Sequence, residues 1–164
     1  MDMDAFAARV ARGMYDNDPA SRALGMELVE VRRGYARLAM RVRADMANGH
    51  AICHGGHIFT LADSAFAFAC NWTNRVTVAL ACHITFTAPA RVGDLLVAEA
   101  REVHRAGRTG VYDVTVTRAD GTTVAVFRGN SYTTRGKVVA ELPFADELAE
   151  TATDGPRAGG GSAP

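Results

Sequence analysis

The sequence has no excess of either charge. Its 164 residues carry 18 basic and 18 acidic side chains. A protein that grips nucleic acid through the backbone alone needs a positive field, so that class is excluded. A membrane-surface role needs clustered lysine and arginine, and there is no such cluster. Apolar runs are short as well. The most apolar window, residues 58–70, contains Asp63 and falls below the roughly 18 residues of a bilayer span. The start, Met1-Asp2-Met3-Asp4, is acidic where a secretory signal is positive. Cysteine is scarce: Cys53, Cys70 and Cys82 are odd in number and lack a C-x-x-C spacing. That excludes a disulfide framework and predicts a reducing, cytoplasmic setting. With 48% hydrophobic residues the chain can still bury a core as one domain.

What is present is a clear alternation of patterns. Residues 3–15 place Phe6, Val10 and Met14 four apart, which predicts a short amphipathic helix. Pro19 disfavours helix in the residue before it and ends that segment. Residues 28–42 alternate apolar and basic side chains and predict a strand, turned or bulged at Arg33-Gly34. Residues 57–72 are apolar almost all round, which predicts a helix buried on most sides. Four strands follow, over residues 76–88, 95–104, 111–117 and 122–133. Asp120-Gly121 between the last two is a strong hairpin signal, because both residues tolerate positive φ. Short links between four strands predict an antiparallel meander. The expectation is an α+β domain over residues 1–140. Residues 141–164 form a tail rich in Gly, Ala and Pro, disordered towards its end.

The chemistry concentrates between Asn48 and Phe66. Gly55 stands where a polar loop enters the central helix. The first turn of a helix offers unpaired N–H groups and partial positive charge. A glycine there lets a carbonyl approach closely, so the Gly55 N–H is a candidate oxyanion donor. Asp63 is a carboxylate in an apolar helix. Burial raises its pKa and suits it to activate water, or it attacks a carbonyl directly; both routes stay open. The two residues are eight positions apart, so about 12 Å separates them along the axis. One reacting centre must lie within about 3 Å of both, so a site combining Gly55 of one subunit with Asp63 of another is expected. His50, Cys53, His54 and His57 lack a regular zinc spacing, so no metal is expected.

The stretch Asn48-Gly49-His50, then Cys53-His54-Gly55-Gly56, then Leu61-Ala62-Asp63-Ser64-Ala65-Phe66 resembles the hotdog-fold acyl-CoA thioesterases, specifically the phenylacetic-acid-degradation (phenylacetyl-CoA) group. Met14 to Asp18, Thr109 to Asp113 and Val126 to Gly129 extend the resemblance to about Gly136. It implies a hotdog fold, an antiparallel sheet wrapped around one long central helix. It implies hydrolysis of phenylacetyl-CoA or ring-hydroxylated phenylacetyl-CoA to free acid and CoA. Coenzyme A is then part of the substrate, and no separate cofactor is expected. By the same resemblance Asn17 lies close to the thioester and Ser64 bonds the attacking water. His54, just before Gly55, is placed to orient the loop, to bond the substrate or to make a purely structural hydrogen bond. Arg108 and Arg128 are weak candidates for the phosphates of coenzyme A. A homo-oligomer is implied, with a dimer as minimal active unit and a tetramer as the full assembly. The alternatives are a hotdog acyl-CoA hydratase or dehydratase and a non-catalytic acyl-CoA-binding protein.

Overall fold

The computed structural model describes residues 2–148. The expected disorder of the C-terminal tail beyond them lies outside the described residues.

Helix α1 spans Met3–Asp16 and is capped by the Asp2 carboxylate, which accepts from the Asp4 N–H. Its apolar face, Phe6, Ala7, Val10 and Ala11, is buried. A second helix, α2 over Pro19–Ala23, follows immediately. The sequence does announce it: Asp18 caps, and Pro19 sits at the first helical position, where its missing N–H costs nothing.

The stretch predicted as one strand is a hairpin, β1 over Glu27–Arg32 and β2 over Tyr35–Arg41. Gly34 makes the turn at φ +63°, a backbone region that side chains avoid. The central helix α3 covers Gly55–Cys70. It starts two residues earlier than predicted because His54 serves as its cap, its Nδ1 accepting from the Gly56 N–H at 2.9 Å. Four long strands complete the chain: β3 over Arg75–Phe86, β4 over Leu95–Ala106, β5 over Thr109–Arg118 and β6 over Thr123–Lys137.

All six strands form one antiparallel sheet in the order β1-β2-β4-β5-β6-β3. This corrects the simple meander. Strands β4, β5 and β6 do follow one another, but β3 pairs with β6 and β4 pairs with β2. The link from Thr87 to Asp94 therefore passes three strand spacings, about 14 Å. Eight residues reach up to about 26 Å when extended, so the crossing is unstrained. Alternation in β3 reports which face is buried, not which neighbour it takes, and a short link alone does not decide.

Helix α3 packs against one face of this sheet. Leu61, Ala62, Ala65 and Phe66 are buried against Leu38, Leu96, Val114 and Phe127. Gly129 allows the closest approach, since a Cβ there would stand 2.9 Å from the Phe66 ring.

Packing continues past residue 140. Leu142 and Ala145 bury themselves against Phe6 and Val10 of α1. Asn74 holds this segment, its Nδ2 donating to the carbonyls of Val139, Leu142 and Pro143 and its Oδ1 accepting from the Val139 N–H. Asn74 is fully buried at φ +65°, where asparagine is among the few tolerated side chains. Asn74→Ala strands three carbonyls and keeps the positive φ, and is expected to cost about 3 kcal/mol. Urea unfolding with an unchanged slope checks it. A loss below about 1 kcal/mol would show that water replaces the amide.

Candidate active site

Gly55 is the first residue of α3, and its N–H has no acceptor among the described residues. It lies beneath Phe86 of β3, where a Cβ would come 2.8 Å from the ring tip. Around it is a groove of about 500 Å³, lined by Asn48, Ile52, Cys53, Ile58, Phe86 and Ala88. A half-buried donor without an acceptor, at a helix N-terminus beside an apolar groove, suits an acyl group whose carbonyl gains negative charge. A larger cavity of about 570 Å³ lies past the other end of α3, among Arg32, Arg33, Trp72, Arg101 and Arg105. It contains none of the candidate residues.

Asp63 is half-buried two turns further along α3. Burial pushes its carboxyl above the ordinary aspartate range, and no cation lies within ion-pair distance among the described residues. Its recorded polar neighbour is the Cys82 thiol of β3, donating towards Oδ1 at 4.0 Å. Both principal candidates thus touch β3, Gly55 at Phe86 and Asp63 at Cys82, yet α3 runs unbroken between them. Within one chain they do not converge.

Ser64 is tied to the α1–α2 corner. Its hydroxyl lies 2.9 Å from the Ser21 hydroxyl, which is 2.6 Å from Asp18 Oδ2. Asn17 is exposed at the C-terminus of α1, where its Nδ2 donates to the Gly13 carbonyl at 2.9 Å. In this chain it contacts neither Gly55 nor Asp63, although the corner it belongs to rests on α3. His54 caps α3, its Nδ1 accepting from the Gly56 N–H. Arg128 is held by Asp113 at 2.6 and 2.8 Å on the outer side of the sheet, away from α3. Arg108 is exposed and donates to the Tyr132 hydroxyl at 3.4 Å. Neither arginine joins the groove at Gly55. Among the described residues no three His, Cys, Asp or Glu side chains converge on one point. Cys53 is buried and its thiol is pushed up by desolvation, the wrong direction for a nucleophile.

Sequence reasoning passed over Asp18, Ser21, Cys82 and Phe86. Asp18 and Ser21 had a local signal, the cap spacing before α2. Cys82 and Phe86 had none, because only the register of β3 against α3 brings them to the site.

The fold is the hotdog, and the class is the acyl thioester hydrolases. Residues 50–125 match the family described as the Thioesterase superfamily. The acyl-coenzyme A thioesterase PaaI of Escherichia coli (strain K12) is 44% identical over 131 residues, covering 80% of this chain and 94% of that protein. The solved structure of the E. coli PaaI protein, from the phenylacetic acid degradation operon, superposes with a TM-score of 0.82 at 43% identity, covering 83% and 99% of the two chains. The smu.793 protein of Streptococcus mutans, solved bound to acetyl-CoA, superposes at 0.66 with 28% identity over 68% and 90%. The chain belongs to the thioesterase superfamily and, within it, to the PaaI-like acyl-CoA thioesterases. No helix among the described residues is long and apolar enough to cross a membrane.

Proposed function

We propose that this enzyme hydrolyses phenylacetyl-CoA or a ring-hydroxylated phenylacetyl-CoA, in the cytoplasm, at a site shared between two copies of the chain. The observation that carries the reading is the pairing on α3 of an N–H at Gly55 with no acceptor among the described residues and a half-buried, cation-free carboxylate at Asp63. The substrate class is supported by the likeness to a relative from the phenylacetic acid degradation operon. The apolar groove at Gly55 has room for an aryl-acetyl group.

In this mechanism the thioester carbonyl points at the Gly55 N–H. Asp63 takes a proton from water, and the water oxygen attacks the carbonyl carbon. The tetrahedral intermediate collapses, the C–S bond breaks, and the thiolate of CoA leaves and takes up the proton. Asn17 and His54 belong to segments flanking this space. Arg108 and Arg128 remain the candidates for phosphate contacts, Arg128 only on release from Asp113.

A second copy is the natural cover for β3. This edge strand exposes Val78 at 48%, Leu80 at 64% and Phe86 at 50%. An edge that is long and apolar invites pairing with its own kind. Such pairing brings the partner's β3 alongside Cys82 and Phe86, where Asp63 and Gly55 already lie. A tetramer, as a pair of such dimers, rests on the family resemblance alone. A hydratase would have to use His54 through Nε2, because its Nδ1 already accepts from the Gly56 N–H.

Free-thiol release from a panel of acyl-CoAs tests the reading. Hydrolysis of phenylacetyl-CoA at least about tenfold faster, in kcat/KM, than of a long aliphatic thioester is expected. Turnover confined to long chains would overturn the substrate class, and a change in enoyl absorbance without thiol release would point to hydration.

A further inference from the structure

We propose that Asp18 and Ser21 set the direction of the Ser64 hydroxyl, so that Ser64 accepts a hydrogen bond from the reacting water and never donates one. Asp18 is then a positioning residue for hydrolysis. The proposal rests on the reading of Asp63 as the base that activates water.

The argument is a count of protons. Asp18 Oδ1 accepts from the Ser21 backbone N–H at 3.0 Å, which fixes the carboxylate in place. Its Oδ2 lies 2.6 Å from the Ser21 hydroxyl. A hydroxyl has one proton, and a carboxylate has none to give, so Ser21 must donate to Asp18. Ser21 is 0% exposed, so bulk water does not compete for that proton. The Ser64 hydroxyl lies 2.9 Å from Ser21. With the Ser21 proton already committed, the only hydrogen bond available between the two hydroxyls runs from Ser64 to Ser21. Ser64 is left with a lone pair free to accept, one residue along the helix from Asp63.

That polarity suits hydrolysis. A water molecule has two protons and must keep a lone pair for the carbonyl carbon. One proton goes to the Asp63 carboxylate, and the other is held by the Ser64 oxygen. A Ser64 that donated would engage the lone pair needed for attack and turn the water away from the thioester.

Asp18→Asn reverses the chain without changing its shape. Asparagine is as good a helix cap as aspartate, and its Oδ1 still accepts from the Ser21 N–H. Its amide now donates to the Ser21 oxygen. The Ser21 proton turns to Ser64, and the Ser64 proton turns to the water. A fall in kcat of about 10- to 30-fold is expected, with KM unchanged. Ser21→Ala frees Ser64 to rotate and is expected to lose only about threefold. The double variant Asp18→Asn/Ser21→Ala should recover to the Ser21→Ala level, because residue 18 no longer reaches Ser64. A merely structural role for Asp18 would not give that recovery.

Wild-type kcat in Asp18→Asn overturns the proposal, as does a double variant no faster than Asp18→Asn. If Asp18→Asn does not fold, Ser21→Ala decides by itself: reduced kcat at constant KM supports the relay, and unchanged kcat overturns it. Failure of the underlying reading looks different. In that case Asp63→Asn keeps its activity, or a single turnover in ¹⁸O-labelled water puts the label into Asp63 rather than into the product acid, whatever the relay variants do.

Discussion

Asp63→Asn is expected to lower kcat for phenylacetyl-CoA by about 10³ while leaving the fold intact. The substitution keeps the size and the helical position and removes only the ability to take a proton. Desolvation is the cause behind the raised pKa of Asp63, with no ion pair opposing it. A carboxylate made more basic in this way is a better acceptor for a water proton, provided that it is ionised at the working pH. The wild-type rate should therefore fall on the acidic side as Asp63 protonates. Stability should show the same group with the opposite preference. Its folded-state pKa lies above the unfolded value, so the folded protein holds more protons between the two. Folding is favoured by that protonation at low pH, and the benefit is lost as pH rises through the folded pKa. The Asn variant escapes this loss. It should melt above the wild type at neutral pH, and the gap should close below the unfolded aspartate value of about 3.9. Thermal melts of both proteins at pH 4 and pH 8 would measure it. Full thiol release by Asp63→Asn would sink the mechanism, and an Asn variant less stable than the wild type at pH 8 would sink its electrostatic basis.

Gly55→Pro is expected to lower kcat by about 10² to 10³, again with the fold preserved. Proline has no N–H and fits the first position of a helix. His54 already has φ −60° and ψ 132°, the extended conformation that a residue before proline adopts. The half-exposed Phe86 ring can turn aside to admit the new side chain. The stronger experiment combines both dead variants. If each site joins Gly55 of one subunit to Asp63 of the other, a mixed dimer has one site with both defects and one with none. Refolding Gly55→Pro with Asp63→Asn in equal amounts gives half mixed dimers, so activity should return to about a quarter of wild type. Sites contained within single chains would each retain a defect, and the mixture would stay dead. Silence of a well-mixed, dimeric sample would therefore refute the shared site.

Much of the architecture was legible because burial writes a period into the sequence. The apolar run at residues 58–70 marked α3, and Asp120-Gly121 marked the β5–β6 hairpin, where the Thr122 N–H donates to Asp120 at 2.9 Å. Gly55 and Asp63 stood out because a glycine at a helix start and a lone acid among apolar residues are both locally anomalous. Strand order was not legible, because β3 takes its neighbours through pairings between residues about 50 apart, such as His83 with Arg128. The relay was hidden for the same reason, since Ser21 and Ser64 are 43 positions apart. Asn17 shows the limit of the resemblance. Its contact in this chain is with its own helix, and any part it takes in the site depends on a partner surface that a single sequence does not draw.

The seating of Leu142 and Ala145 on Phe6 and Val10 has a consequence for how the protein is made. During synthesis α1 is completed only by a segment made much later, the one that carries Leu142 and Ala145. At about 5–20 residues per second, α1 waits roughly 10 s with part of its apolar face uncovered. Native docking of α1 then waits for that later segment and is clamped when Asn74 captures the incoming carbonyls. A chain that stalls or is cut before Leu142 keeps a greasy amino-terminal helix on display, the kind of mark by which chaperones and proteases single out unfinished products.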